Sequence, residues 1–115
     1  MSELKKEYNC SLILTFDLLG GKWKLRILWH IINGDNRFSL LLKSMPEITE
    51  KVLTTQLRNL EKNGLLKRTV ISQKPLNVQY NLSEKYSELV PIIGELCRFS
   101  RDYAIKNNII INDSK

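Results

Sequence analysis

The sequence predicts a single domain of the α+β class that is mainly helical and carries one small β-hairpin. Two observations lead to this expectation. Apolar residues recur at helical spacing along most of the chain, and around residues 66–82 the period changes from about 3.6 to 2. With 115 residues the chain has room for one domain, so we assign residues 1–115 to it.

The first two predicted helices lie on either side of a glycine pair, Gly20-Gly21. The first covers residues 11–19, where apolar side chains at i, i+4 and i+7 form a stripe: Leu12, Phe16 and Leu19. The second runs from about residue 22 to residue 32 and is apolar on two sides, which is typical of a helix buried between neighbours. We interpret the glycine pair as a tight turn between these helices.

A short helix and then a polar-faced helix are predicted next, joined by a turn that contains Pro46. Ser39 is the expected N-cap of the short helix, and Pro46 stops this helix because proline cannot continue one. Thr49 is the expected N-cap of the second helix, which Asn63-Gly64 should close in the left-handed conformation. Residues 39–64 therefore predict a helix-turn-helix.

A hairpin and a long helix complete the chain. Alternation at residues 78–82 indicates a strand, residues 66–71 are the expected partner strand, and residues 72–77 the expected loop. Together residues 65–82 form the predicted wing. Ser83 should cap a last helix that runs to about residue 107, with a kink or break near Val90 because Pro91 follows.

The net charge of +6 is concentrated in the middle of the chain, where residues 49–80 hold six basic and two acidic side chains. A basic face of this kind suits a polyanion. Apolar runs are too short to cross a bilayer, and the first nine residues have no apolar core, so we expect a cytoplasmic protein. Two distant cysteines and one histidine predict no metal or cofactor, and the absence of any catalytic constellation predicts that the chain is not an enzyme.

This order of elements is that of a winged helix-turn-helix, in which the second helix enters the major groove of DNA. Arginine pairs with guanine, threonine meets a base edge or a thymine methyl, and lysine reaches phosphate. The expected DNA contacts are Thr49, Lys51, Thr54, Thr55 and Arg58 on the helix and Lys67, Arg68 and Lys74 on the hairpin. Two alternatives stay open: a solvated helix face without a ligand, and a protein-interaction module that does not bind DNA. The lack of aromatic residues on this face favours DNA.

The chain carries a series of short motifs in this order: Cys10-Ser11, Gly20-Gly21-Lys22-Trp23, Arg37-Phe38, residues 48–58, residues 78–83 and Leu96-Cys97. Taken together they resemble the motifs of the HxlR-type regulators, relatives of the MarR group. The resemblance covers roughly residues 10–103, and Ser11 departs from it because the family often has proline after the cysteine. It implies a transcription regulator, repressor or activator, that binds a pseudo-palindromic operator in double-stranded DNA as a homodimer.

The same resemblance implies that the first and last helices, residues 10–19 and 83–107, hold the dimer together. The last helix carries more apolar surface than one domain of this size can bury, which agrees with that role. The expected interface residues are Leu12, Phe16, Ile92, Phe99 and Tyr103.

Both cysteines are candidates for redox sensing. Several relatives use a cysteine at the position of Cys10 as a switch for oxidants or electrophiles, and a thiolate is favoured near a helix N-terminus. The alternative is that Cys10 packs at the dimer interface as a small apolar residue. Cys97 is expected to pack inertly on the last helix. A Cys10–Cys97 bridge between subunits requires Cα atoms about 4.4–6.8 Å apart, a distance that the sequence leaves open, as it does the effector.

Overall fold

A computed structural model describes residues 3–113 of the chain. Within these residues the elements run in the order α1 Ser11–Leu19, α2 Lys24–Ile32, α3 Phe38–Ser44, α4 Glu50–Lys62, β1 Leu66–Gln73, β2 Leu76–Leu82, a short 3-10 helix Glu84–Tyr86, and α5 Leu89–Lys106. The predicted mainly helical fold with one antiparallel hairpin is confirmed. None of the helices in this range is long and apolar enough to span a membrane.

The core forms around α2, which contacts α3, α5 and β2. Its buried side chains meet those of α3 and α4, as the apolar stripes of these helices predict. The largest fully buried side chains are Ile27, Leu28, Leu41, Met45, Leu53, Leu57 and Leu60. Burying each one stabilises the fold by about 1.5–3 kcal/mol relative to leaving it exposed, so this cluster is what holds the helix-turn-helix to the rest of the domain.

Both predicted ends of α4 are confirmed. The Thr49 hydroxyl oxygen accepts a hydrogen bond from the backbone N–H of Val52 at 3.1 Å, which satisfies one of the free donors of the first turn. Glu50 stands in this turn, where its charge suits the helix dipole. Gly64 follows the helix with φ of 81°, a left-handed conformation that glycine adopts without a steric clash.

The predicted starts of α2 and α3 are each displaced by about two residues. α2 begins at Lys24 rather than at Lys22, because the turn that includes Gly21 (φ 91°) takes up the residues before it. α3 begins at Phe38 with extended Arg37 as its N-cap, so the prediction that Ser39 caps this helix is wrong. The physical reason lies in the hairpin: the backbone N–H of Tyr80 donates to the Asn36 carbonyl at 2.8 Å and holds the chain extended just before the helix.

The hairpin is longer than the sequence predicts. Pairing continues to Gln73, opposite Leu76, so only Lys74 and Pro75 remain in the turn and the predicted loop over residues 72–77 is wrong. A bulge at Ile71 shifts the register between Val70 and Ser72. The polar side chains of residues 72–74 suggested a loop, but strands pair through their backbone groups, which does not require apolar side chains.

The predicted last helix consists of two pieces. Ser83 makes no side-chain cap, and a single turn of 3-10 helix precedes α5, so the prediction of one helix starting after Ser83 is wrong. The expected break falls at residues 87–88. Pro91 is the third residue of α5, where the missing N–H costs no hydrogen bond because first-turn donors have no partner within the helix. The 18 residues of α5 extend for about 27 Å.

Candidate nucleic-acid interface

One side of α4 faces solvent and carries the side chains predicted to enter the groove. Lys51, Thr55 and Arg58 are exposed at i, i+4 and i+7, and Thr54 beside them is half-buried. The apolar side of the same helix is buried in the core, so α4 presents its polar side to solvent. We call Lys51, Thr54, Thr55 and Arg58 the groove face.

Two threonines in the N-terminal half of α4 and at its N-cap make hydrogen bonds with backbone groups. Thr49 uses its oxygen as the N-cap acceptor, which leaves its O–H free to donate to a phosphate oxygen. The Thr55 hydroxyl donates to the Lys51 carbonyl at 3.0 Å, and its methyl group stays available for an apolar contact such as a thymine methyl. The two side chains therefore have different chemistry to offer DNA.

The hairpin places two of the predicted DNA-contacting residues, Lys67 and Arg68, on opposite faces. Lys67 pairs with Asn81 and Arg68 with Tyr80, and both basic side chains are exposed. Adjacent residues of a strand point to opposite faces, so Lys67 and Arg68 cannot meet the same surface together. Lys74 lies exposed at the turn, as expected for the tip of a wing.

An ion pair holds the turn between α3 and α4, a carboxylate before α3 contacts the last residue of that helix, and the sequence alone predicted neither. Arg26 Nη2 on α2 lies 2.9 Å from Glu47 Oε1 in the turn, and this contact holds the pKa of the Glu47 carboxyl below its ordinary value. Asp35 accepts a hydrogen bond from Ser44 Oγ at 2.7 Å and lies 3.1 Å from His30 Nδ1. Arg26 and Glu47 are 21 positions apart, so no local motif predicts their contact.

Arg37 also connects the helix-turn-helix to the wing. Its Nη1 donates to Asn77 Oδ1 at 3.3 Å, across 40 positions of sequence. Together with the backbone bond from Tyr80 to Asn36, this contact sets the hairpin against the start of α3. The wing is thus attached to the helix-turn-helix by these two hydrogen bonds.

The two candidate sensor residues lie in different environments. Cys10 lies at a helix N-terminus, as predicted, where it is the exposed N-cap residue of α1. Cys97 is half-buried on α5 and packs against the core. Both are free thiols within the chain. The segment before Cys10 is held by Tyr8, whose hydroxyl donates to Asp17 Oδ2 at 2.6 Å.

The residues expected at a dimer interface form an exposed apolar surface on α1 and α5. On α1, Leu12 is 73% and Phe16 69% exposed. On α5, Ile92 and Phe99 are exposed as well, and the Phe99 ring centroid lies 6.4 Å from that of Tyr103. Large exposed apolar side chains grouped on two helices are typical of an interaction site. We call these five side chains the apolar stripe.

The helix-turn-helix, its outward polar helix and the adjoining hairpin define a winged helix-turn-helix protein of the DNA-binding class. The family model of the HxlR-like helix-turn-helix proteins matches residues 18–108, and the chain belongs to this family. It is 44% identical over 99 residues to the HTH-type transcriptional regulator YtcD of Bacillus subtilis, covering 86% of this chain and 79% of YtcD.

Two solved structures are similar over most of the chain. The redox regulator HypR in its oxidized form has a TM-score of 0.75 and 38% identity, covering 81% of this chain and 96% of HypR. Diamide-treated YodB from B. subtilis has a TM-score of 0.67 and 27% identity, covering 86% of this chain and 97% of YodB. Other similar structures include MarR-family regulators. The chain is therefore a DNA-binding transcription regulator and not an enzyme, and the alternative of an interaction module without DNA binding finds no support.

Proposed function

We propose that this regulator binds a pseudo-palindromic operator as a homodimer, with α4 of each protomer in the major groove. The observation that carries the proposal is the groove face, which lies on the exposed side of a helix whose other side is buried in the core. In this arrangement Arg58 pairs with a guanine, the threonines meet base edges or thymine methyls, and Lys51 and the Thr49 hydroxyl contact phosphates. A regulator of this kind works in the cytoplasm of a bacterial cell, where the DNA is.

The wing contributes further contacts to the DNA backbone or the minor groove. Lys74 at the turn is the farthest basic side chain along the hairpin. Because Lys67 and Arg68 point to opposite faces, one of them lies on the DNA side of the hairpin and the other faces away. The proposal therefore allows unequal contributions from these two residues.

The homodimer forms through α1 and α5. A second copy of the apolar stripe is the natural cover for a surface that contains Phe16, Phe99 and Tyr103, since a symmetric dimer buries the same patch of both subunits. Each protomer carries one wing and one α4 and binds one half-site. A dimer therefore binds two half-sites, which matches an operator with two-fold symmetry.

We further infer that Cys10 makes the regulator responsive to oxidants. Its sulfur is exposed beside the proposed dimer surface on α1, so a change at Cys10 acts on the interface that sets the spacing of the two groove faces. The similarity to HypR, which is a redox regulator, and to YodB, which was treated with diamide, supports this interpretation. Half-buried Cys97 is the other thiol of this chain, and a bridge to it from the partner subunit is one product that the experiment below distinguishes.

The test is a mobility shift with the DNA upstream of the regulator's own coding region, before and after diamide treatment, for the wild type and Cys10→Ser. Specific binding that diamide changes in the wild type but not in Cys10→Ser supports the whole proposal. Binding that is indifferent to diamide keeps the operator and removes the switch. Binding that is weak at all sites and insensitive to salt contradicts the proposed groove face, since phosphate contacts weaken steeply as salt rises.

A non-reducing gel of the same samples identifies the product at Cys10. A covalent dimer that is lost in both Cys10→Ser and Cys97→Ser indicates a bridge between these two residues. A covalent dimer lost only in Cys10→Ser indicates a bond between the two Cys10 residues.

A further inference from the structure

The outer end of the wing carries apolar side chains that the domain leaves open to solvent. Leu76 is 64%, Ile71 52% and Val70 39% exposed, and Pro75 in the turn is exposed as well. We call residues 70–78 the wing tip. We propose that the wing tip enters the minor groove of the operator, and that Leu76 wedges into a base step there and bends the DNA. This inference rests on the proposed function, since it requires a wing that lies on DNA.

The apolar face of the hairpin continues past the core. Leu76, Val78, Tyr80 and Leu82 alternate along β2 and therefore share one face. Near the base of the hairpin Tyr80 and Leu82 pack against the core, whereas Leu76 at the outer end is not among the described side chains that do so. Core packing thus accounts for Tyr80 and Leu82, and another contact is needed to account for Leu76.

The charge of the hairpin indicates which molecule supplies that contact. Residues 66–82 hold three basic side chains, Lys67, Arg68 and Lys74, and no acidic one. A second copy of the wing would bring the same positive charges, and like charges that face each other across an interface are unfavourable. Duplex DNA fits both properties of the hairpin, because it has phosphates on the outside and a stack of bases into which apolar side chains can insert.

The wing tip is ordered before any DNA arrives. The Ser72 hydroxyl donates to the Pro75 carbonyl at 2.8 Å, and strand pairing continues up to Leu76. Outside the turn, Arg37 Nη1 donates to Asn77 Oδ1 at 3.3 Å and attaches the wing tip to the start of α3. Because the turn is already fixed, binding does not have to supply the free energy of ordering it, and more of that free energy is available to unstack a base step.

The face that carries Leu76 also carries Arg68. Arg68 is paired directly with Tyr80, which lies on this face, whereas the neighbouring Lys67 points to the other face. Arginine is attracted to the negative potential of a narrow minor groove. We therefore place Arg68 rather than Lys67 on the DNA side. The expected target is a pyrimidine–purine step, since such steps unstack most easily.

The test uses duplexes that the wild-type protein selects from a random DNA library. Energy transfer between dyes at the two ends measures the bend. The fluorescent base 2-aminopurine, placed in turn at each position outside the bases that α4 protects, brightens when it is unstacked. We expect a bend of about 20° or more at each half-site, with a fluorescence rise at one step. A pyrimidine–purine step should be enriched at that place, and its replacement by AA should weaken binding about fivefold or more.

Three variants assign the bend to Leu76. Leu76→Ser should abolish the fluorescence rise, lower the bend by about half or more and weaken binding about fivefold or more. Leu76→Met keeps an apolar side chain that can serve as a wedge and should restore all three quantities. Ile110→Ser is the matched control, because it removes an 84% exposed apolar side chain from outside the hairpin, and it should bend DNA as the wild type does. Thermal melting followed by circular dichroism checks that all three variants stay folded.

Several outcomes overturn the wedge. A selected sequence that the wild type binds without a bend and without a fluorescence rise overturns it while the proposed function stands, and this result needs no variant. A Leu76→Ser protein that bends DNA as the wild type does overturns it too. Binding to phosphatidylglycerol vesicles that is lost in Leu76→Ser, with an unchanged DNA bend, assigns the wing tip to a membrane surface instead. A selection without any enriched sequence contradicts the proposed operator binding together with the wedge.

Discussion

Arg26 on α2 and Glu47 in the turn before α4 form an ion pair with 2.9 Å between Nη2 and Oε1. The two residues are 21 positions apart, and α2 is the helix at the centre of the core. The turn before α4 is thus linked to a helix at the centre of the core.

The Arg26–Glu47 contact predicts a change in titration. The pKa of Glu47 lies below its ordinary value of 4.5 because Arg26 hydrogen-bonds to the carboxylate, so Arg26→Gln should raise that pKa toward 4.5. The ion pair therefore stabilises the folded protein above pH 4.5, and this stabilisation is lost as the pH falls through the lowered pKa of Glu47 in the folded state. Carboxyl titration by NMR measures the shift. Glu95, whose pKa is lowered by Arg98, is the internal control and should not change; a Glu47 pKa that also stays constant would contradict the ion pair.

Two substitutions on the groove face should have different effects on DNA binding. Arg58→Ala should weaken operator binding by about 1–3 kcal/mol and relax the preference at one base pair, whereas Lys51→Ala should weaken all sequences alike and lower the salt slope by about one. Fluorescence anisotropy at several salt concentrations distinguishes these results. Lys106→Ala removes an exposed charge from the end of α5 and should leave both quantities unchanged. If all three variants bind alike, α4 does not read the groove through this face.

The N-cap of α4 predicts a loss of stability. Thr49→Ala removes the oxygen that accepts the bond from the Val52 N–H, and should lower the free energy of unfolding by about 1 kcal/mol. Thr49→Ser keeps that oxygen and should stay close to the wild type. Urea denaturation followed by circular dichroism measures both. Equal stability of the alanine and serine variants would show that the cap does not contribute.

The apolar stripe predicts the oligomeric state. Phe16→Glu and Phe99→Glu each place a charge on a surface that we expect to be covered by the partner, and should shift the protein to a monomer in analytical ultracentrifugation. Ile110→Glu is the control, because Ile110 is 84% exposed and lies outside the stripe. Circular dichroism checks that each variant keeps its helices. A dimer that persists in both phenylalanine variants would place the interface elsewhere.

Much of the helix-turn-helix was determined by the sequence itself. The spacing of Leu53, Leu57 and Leu60, the hydroxyl of Thr49 and the glycine at position 64 are local signals, and each acts within a turn or two of the helix. The same holds for the exposed groove face, since the buried side of α4 leaves only one direction for its polar side chains. Such features are predictable because their causes lie within a few residues along the chain.

The tertiary structure alone decided the rest. The extent of the hairpin depends on pairing across strands, and the start of α3 depends on the bond from Tyr80 to Asn36. The contact between Arg26 and Glu47 joins residues from distant segments, so no local pattern encodes it. These features depend on which surfaces meet when the apolar faces are buried, and that is settled only by the packing of the whole domain.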